Sequence, residues 1–199
     1  MRLLAIDTAT PNPSLAVSVE GSAPRMVELP RLGAEALAPA VASLLSAVGL
    51  VPRDLDRIAV VSGPGSFTGL RSSLAFARGL ARAVDAPLVL VPTFAAASEA
   101  VPAPADADFL LDALRGEVHR RRRRKGILLP GDECLTREAA TSEAARDGVP
   151  AIDLASARLL LGPAAAALAR QATAAQEPGS LAYGRLPAAV ERFGSGETE

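Results

Sequence analysis

A glycine-rich nonamer at residues 63–71, Gly-Pro-Gly-Ser-Phe-Thr-Gly-Leu-Arg, constrains this chain more than any other feature. It follows a short apolar run at 58–61 and precedes a long helical pattern, so it predicts a corner between a strand and a helix. Glycine suits such a corner because it tolerates positive φ and close backbone approach. Ser66 and Thr68 can cap the helix that follows. Since N–H groups at a helix start can bind anions, the corner is consistent either with a ligand site or with a well-capped turn.

Composition bounds the class of protein. The 199 residues are 49% apolar, which is enough for a full core, and the single cysteine, Cys134, excludes an intrachain disulfide. Asp7 interrupts the first apolar stretch, so we expect no secretory signal. No apolar run is long enough to cross a membrane. We therefore expect a cytoplasmic protein without a membrane association.

The first half of the chain predicts a mixed sheet covered by helices. Three short strands at 2–8, 14–20 and 25–29 form a meander, and a helix with an apolar stripe follows over 35–48. The corner then connects a strand at 58–61 to a helix at 70–84, before a strand at 87–91 and a helix near 94–100. The predicted order is βββαβαβα, which indicates the α/β class.

The second half gives weaker signals. Residues 101–106 contain Pro102 and Pro104 and are typical of a linker. We expect a strand at 109–111, a hairpin formed by 117–125 and 126–129, helices at 137–146 and 163–174, and a short strand at 151–154 between those helices. Residues 194–199 are expected to be disordered.

Two polar groups follow predicted strands. Asp7 ends the first strand and precedes Thr8, so its carboxylate can orient a metal-bound phosphate or a water, or cap the turn through its own backbone. Asp112, Arg115 and Glu117 surround a glycine after a later strand, and they can form a polar seam between domains or a solvated turn. The candidate contacts for a nucleotide or anion are Asp7, Thr8, Gly63, Gly65, Ser66, Thr68 and Gly69.

The charge distribution is uneven. Residues 115–125 hold seven basic side chains and one acid, in a chain whose net charge is −1. Both alternating faces of the run at 120–125 are basic, so we expect an edge strand, a protruding hairpin or disorder. Contact of Arg121 and Arg123 with RNA phosphates is one hypothesis, and charge protection of a sheet edge is the other. The chain has no tryptophan and one tyrosine, which disfavours a base-stacking platform.

Small residues recur every four positions on two predicted helices. Ala75, Gly79 and Ala83 form such a stripe on the second helix, and Ala34, Ala38 and Ala42 form one on the first. These stripes allow close helix packing, either inside the protein or at a subunit interface. A glycine in the middle of a helix lowers the stability of that helix. Its presence favours a subunit interface, because close packing there would require a residue without a side chain.

Together these motifs resemble the TsaB family of tRNA threonylcarbamoyladenosine biosynthesis proteins. The resemblance rests on Ile6-Asp7-Thr8 before a hairpin, on the nonamer, and on Asp112-Ala-Leu-Arg-Gly-Glu-Val118. It covers most of the chain and is strongest over 1–118, while Leu161-Gly-Pro163 and Tyr183 agree in outline. Two positions depart from the family pattern: Gly33 stands where a histidine is common, and His119 where a tyrosine is common.

The resemblance implies an actin-like fold of the sugar-kinase, Hsp70 and ribonuclease H type, with two lobes. It implies a first lobe at 1–100, a linker at 101–106, a reduced second lobe at 107–182, and a C-terminal segment at 183–199 that can pack back on the first lobe.

The resemblance further implies a non-catalytic subunit without a metal site. Such a subunit pairs with a catalytic paralogue, TsaD, recruits the ATPase TsaE, and forms a homodimer when alone. ATP or ADP and Mg then belong to the complex, and tRNA is contacted through the complex. The two small-residue helices supply the pairing surface in the family. The expected interface residues are Leu37, Val41, Leu44, Ser72, Ala75, Phe76, Gly79 and Ala83.

Three alternatives stay open at this point. A nucleotide-dependent kinase of the same fold needs free N–H donors in the first hairpin, where Pro11 and Pro13 have none. A metallopeptidase needs a histidine pair, and His119 is the only histidine. A stand-alone RNA-binding module would use the basic run, and it predicts binding that weakens steeply with salt.

Overall fold

A computed structural model describes residues 1–30 and 34–171 of this chain. Gly33, Tyr183 and the predicted segment 183–199 lie outside the described residues. No helix in the described part is both long and apolar enough to cross a membrane.

The first sheet is built on the predicted meander. Strands β1 (Arg2–Asp7), β2 (Ser14–Val19) and β3 (Arg25–Glu28) run antiparallel, and β4 (Arg57–Val61) and β5 (Leu88–Val91) extend the sheet in parallel on the other side of β1. The strand order is β3-β2-β1-β4-β5. The predicted order βββαβαβα is confirmed, with α1 (Leu37–Ser46), α2 (Phe67–Val84) and α3 (Thr93–Ala100) in the expected places.

Both faces of this sheet are covered. Leu4 and Ile6 of β1 pack into a core with α1 and α2, whereas Leu3 and Ala5 pack on the other side with α3 and α5 (Leu161–Gln171). Burial on two faces explains why β1 is a continuous apolar run rather than an alternating one.

Helix α5 is seated on the β1–β2 hairpin through a close backbone contact. A Cβ at Gly162 would lie 3.1 Å from the Ser14 hydroxyl and 3.2 Å from the carbonyl carbon of Leu15. The Gly162 N–H donates to Ser14 Oγ at 3.0 Å. The absence of a side chain at Gly162 therefore lets the helix approach the strand.

The second sheet has the order β10-β6-β7-β8, with β9 paired to β7. Its strands are β6 (Ala107–Leu114), β7 (Glu117–Arg124), β8 (Ile127–Leu128), β9 (Glu133–Thr136) and β10 (Ala151–Asp153), and α4 (Arg137–Arg146) covers one face. The predicted hairpin and the helix at 137–146 are confirmed, but β9 was not predicted. Residues 101–106 form neither helix nor strand, and the division into lobes at that segment stays a prediction.

The basic run does not lie at an edge, so that expectation was wrong. Strand β7 pairs with β6 on one side and with β8 and β9 on the other, which makes it an interior strand. The basic side chains on both of its faces are covered, and Arg120 and Arg123 are each only 2% exposed.

Candidate functional site

The glycine-rich corner opens α2 with a side-chain cap. The Gly69 N–H donates to Ser66 Oγ at 3.2 Å, so the helix begins at Phe67, three residues earlier than predicted. Ser66 is the cap and Thr68 is not, since Thr68 lies exposed within the first turn. The Ser66 N–H itself donates to the carbonyl of Ala9 at 2.8 Å, which ties the corner to the loop after β1.

Two glycines of the corner are needed because that loop lies against them. A Cβ on Gly65 would lie 2.3 Å from the Ala9 carbonyl oxygen, and one on Gly69 would lie 1.9 Å from the Thr8 carbonyl oxygen. The Thr8 hydroxyl donates to the carbonyl of Gly69 at 2.7 Å. The N–H groups of Ser66 and Gly69 are used within the chain, and the nucleotide or anion contacts expected at this corner stay a prediction.

Asp7 is held by its own turn. Its Oδ1 accepts from the N–H groups of Ala9 at 2.9 Å and Thr10 at 3.3 Å, and its Oδ2 accepts from the Thr10 hydroxyl at 2.6 Å. The side chain is fully buried, and burial raises the pKa of Asp7 to about 6. Both carboxylate oxygens are used within the loop, which is the turn-capping role rather than an exposed catalytic one.

A small cleft separates the corner from the second sheet. Its volume is about 190 Å³, and its lining comprises Gly63, Pro64, Pro92, Phe94, Ala95, Arg121, Leu128 and Asp132. Arg121 donates from Nε to Asp132 Oδ1 at 2.5 Å and from Nη1 to the carbonyl of Leu129 at 2.6 Å. Of the residues predicted for a site, the cleft brings together only Gly63 and Arg121.

The polar cluster predicted around Asp112 is centred on Arg137, a residue that the sequence did not point to. Asp112 Oδ1 lies 3.4 Å from Arg137 Nη2, and Arg137 also pairs with Asp153 of β10. Arg115 does not join this network in the structure; it lies exposed at the turn between β6 and β7, with φ of 54°. The main chain of Arg137 donates to the carbonyl of Gly116 at 2.9 Å, which anchors this turn to the start of α4.

On one face of the basic strand β7, arginines form ion pairs with acidic side chains. Arg120 Nη2 lies 2.8 Å from Glu143 of α4 and 2.5 Å from Glu133 of β9, and Arg124 Nη1 lies 2.7 Å from the buried Asp108. The hydrogen bond from Arg120 lowers the pKa of Glu143. These charges hold the sheet to α4 and are not exposed to a polyanion.

Arg123 on the opposite face binds main-chain carbonyls. It donates to the carbonyls of Ser98, Val101 and Pro104, and it stacks 5.0 Å from the ring centroid of Phe109. A guanidinium buried in this way has no surface to offer to a phosphate, which corrects the expected tRNA contact for Arg123. The contact expected for Arg121 stays a prediction.

The expected pairing surface divides into core and exposed residues. Leu37, Val41 and Leu44 are 3%, 3% and 6% exposed and pack against the first sheet. They belong to the hydrophobic core of the chain, which corrects the expectation that they lie at the subunit interface. On α2, by contrast, Ser72 and Phe76 are half-buried, and Ala75, Gly79 and Ala83 are exposed.

Within the described residues, no internal packing accounts for the small stripe on α2. A Cβ on Gly79 would have no atom within 4 Å among the described residues. Ala38 and Ala42 of α1 are exposed as well. We call these five exposed small residues, Ala38, Ala42, Ala75, Gly79 and Ala83, the small-residue face.

Comparison with known proteins gives the family. The model of the family described as TsaD, tRNA N6-adenosine threonylcarbamoyltransferase, matches residues 16–173. The chain belongs to this family.

Its resemblance to TsaB is also confirmed. The tRNA threonylcarbamoyladenosine biosynthesis protein TsaB of Escherichia coli is 36% identical over 123 residues, which are 60% of this chain and 53% of that protein. TsaB of Bacillus subtilis is 37% identical over 93 residues, 46% of this chain and 41% of that protein. This chain therefore spans about half the length of the curated relatives that it matches.

A solved structure supports the fold. YeaZ from Pseudomonas aeruginosa superposes with a TM-score of 0.61 at 31% identity, covering 69% of this chain and 68% of that chain. The actin-like α/β fold expected from the sequence is confirmed by this likeness and by the family.

In this TsaB-like chain, the glycine-rich corner and the small-residue face are two distinct regions of the structure. The nonamer packs against the loop after β1, and the helix that it opens, α2, carries three of the five residues of the small-residue face. No local sequence signal indicates Arg137 as the partner of Asp112, because the two are 25 positions apart.

Proposed function

We propose that this chain is a non-catalytic dimerization subunit of the complex that installs threonylcarbamoyl on the anticodon-adjacent adenosine of tRNAs reading codons that begin with A. In this proposal it pairs with the catalytic paralogue TsaD and acts together with the ATPase TsaE in the cytoplasm. It contacts tRNA only through the complex, and it forms a homodimer when alone.

One observation carries the proposal: the exposed Gly79 in the middle of α2. Glycine in an exposed helix interior costs about 1 kcal/mol relative to alanine, and nothing described in the chain requires its small size. A partner that packs closely against the helix would supply the requirement. The two TsaB relatives are named for threonylcarbamoyladenosine biosynthesis, and their names indicate the pathway in which such a partner works.

The loop after β1 favours this role over the kinase-like alternative. A kinase of this fold needs free N–H donors for phosphate in this loop, but Asp7 Oδ1 already accepts from the N–H groups of Ala9 and Thr10. Pro11 and Pro13 have no N–H group to donate. We therefore propose that the chain alone holds no cofactor, and that ATP or ADP and Mg act at the level of the complex.

Co-purification with TsaD of the same organism tests the proposal. We expect a stable complex with wild-type chain, and modified adenosine in tRNA only when TsaD, TsaE and this chain are all present. Calorimetry with Mg-ATP on the isolated chain should give no binding in the micromolar range. Micromolar affinity accompanied by ATP turnover would instead support the kinase.

A further inference from the structure

Helix α2 carries a line of exposed arginines. Arg71, Arg78 and Arg82 lie on one side of the helix, spaced by seven and four residues, and all three are exposed. Their Cα atoms span about 16 Å at the rise of an α-helix. We call these three residues the arginine line.

No acid neutralises this line within the described residues. Helix α2 contains neither Asp nor Glu, and none of the three arginines forms an ion pair with any residue the structure describes. Arg71 stacks on the ring of Phe67, with 5.2 Å between the guanidinium carbon and the ring centroid, which orients its charge without neutralising it. In contrast, the basic strand β7 has its charges matched by Glu133, Glu143 and other acids of the second sheet and α4.

The arginine line runs beside the small-residue face. Ala75 lies within the line, and Gly79 and Ala83 follow Arg78 and Arg82 by one position each. Arginine is enriched at protein interfaces, and small residues let a facing helix approach closely. A nucleic-acid site would instead need positive charge across the surface, and the neighbouring residues of α1 carry no charge at all.

We propose that the arginine line selects a protein partner whose facing helix carries carboxylates, and that it weakens, without abolishing, pairing with a second copy of this chain. This inference rests on the proposed function, in which the small-residue face binds a paralogue. It adds the chemistry of the partner: acidic side chains placed to meet Arg71, Arg78 and Arg82.

The two described helices that carry this face supply no acid to a second copy, since neither α1 nor α2 contains Asp or Glu. When two copies pack through this face about a twofold axis with their α2 helices antiparallel, the two arginine lines face each other. Among the described residues, Glu35 precedes α1 in a short 3-10 turn and Asp85 caps the C-terminal end of α2. Like-charge repulsion then weakens the homodimer while opposite charge strengthens the heterodimer, which is selection by both attraction and repulsion.

Salt dependence distinguishes the two contacts. Raising the ionic strength from about 0.05 to 0.5 M shortens the screening length several-fold. The heterodimer with TsaD of the same organism should weaken, and self-association of the isolated chain should strengthen. Sedimentation measures the self-association, and calorimetry measures the heterodimer.

A triple variant, Arg71→Gln, Arg78→Gln and Arg82→Gln, isolates the line. We expect the heterodimer to weaken roughly tenfold or more and self-association to increase by a similar factor at low salt. The matched control is Arg25→Gln, Arg115→Gln and Arg146→Gln, which removes three exposed arginines outside α2 and should leave both constants unchanged. Circular dichroism confirms that both variants fold.

Several outcomes would overturn the inference. A heterodimer of unchanged affinity and salt slope in the triple variant contradicts it, and so does self-association that the variant leaves unaltered. Loss of tRNA binding with no change in either protein constant would assign the line to nucleic acid instead. Absence of any wild-type heterodimer contradicts the proposed function, and the self-association measurement still decides whether the arginines oppose a second copy.

Discussion

Replacing Gly79 by leucine should strengthen the monomer and abolish partner binding. Gly79 lies in the middle of α2, and a Cβ there meets no described atom within 4 Å. The new side chain therefore projects from the surface without overlap. Leucine has a higher helix propensity than glycine by about 0.7 kcal/mol, so the free energy of unfolding should rise by up to that amount.

The same side chain separates the helices at the interface. Helices that meet through small residues pack at about 8 Å, and a leucine at the crossing point moves them toward about 10 Å. The surrounding contacts are then lost together, so we expect affinity for TsaD to fall by at least about 100-fold, or about 3 kcal/mol.

Chemical denaturation and calorimetry measure the two effects separately. The control is Ala145→Leu, which places the same side chain at an exposed small residue of α4, away from the small-residue face. That variant should bind TsaD normally. If Gly79→Leu binds TsaD with unchanged affinity, α2 is not the pairing surface and the reasoning fails.

Three further predictions concern the stability of the chain. Gly69→Ala should lower the free energy of unfolding by about 2 kcal/mol or more, because its Cβ would lie 1.9 Å from the Thr8 carbonyl oxygen. Urea unfolding measures this loss, and the control variant Gly79→Ala should raise the free energy of unfolding in the same assay. Burial raises the pKa of Asp7 from 3.8 to about 6, so the folded state holds this proton more tightly, and the contribution of Asp7 to stability falls by about 3 kcal/mol as pH rises through that interval. Asp7→Asn should remove this fall in urea titrations between about pH 4 and 7, and an equal fall in the variant would contradict the assignment. Arg123→Ala should cost about 3 kcal/mol, because it leaves the carbonyls of Ser98, Val101 and Pro104 without their donor, whereas Arg121→Ala, at a half-exposed ion pair, should cost under about 1 kcal/mol in the same assay.

The first sheet and its helices could be predicted from sequence because their signals are local. The apolar runs of β1 and β4, the hairpins between β1 and β3, and the capping Ser66 each act over a few residues. The sequence placed the start of α2 at residue 70, three positions too late. The helix begins at Phe67 because the side chain of Ser66 caps it there.

The second sheet was harder because its decisive partners are distant in sequence. From its sequence, a strand as basic as β7 is expected to be exposed to solvent. The structure surrounds it with Glu133, Glu143 and the carbonyls of 98–104, which lie 13 to 25 positions away. The corner shows the same limit, since its glycines are consistent with an anion site, and only the structure shows that the backbone of Thr8 and Ala9 packs against two of them.

Reconstituted modification of tRNA tests the central claim most directly. Reactions that contain TsaD, TsaE, tRNA and the threonylcarbamoyl donor are compared with and without this chain, and with the chain alone, and threonylcarbamoyladenosine is quantified by mass spectrometry. We predict product only in the full mixture, with none from the chain alone. Product formed by the chain alone, or undiminished product when the chain is omitted, would contradict its role as a non-catalytic partner.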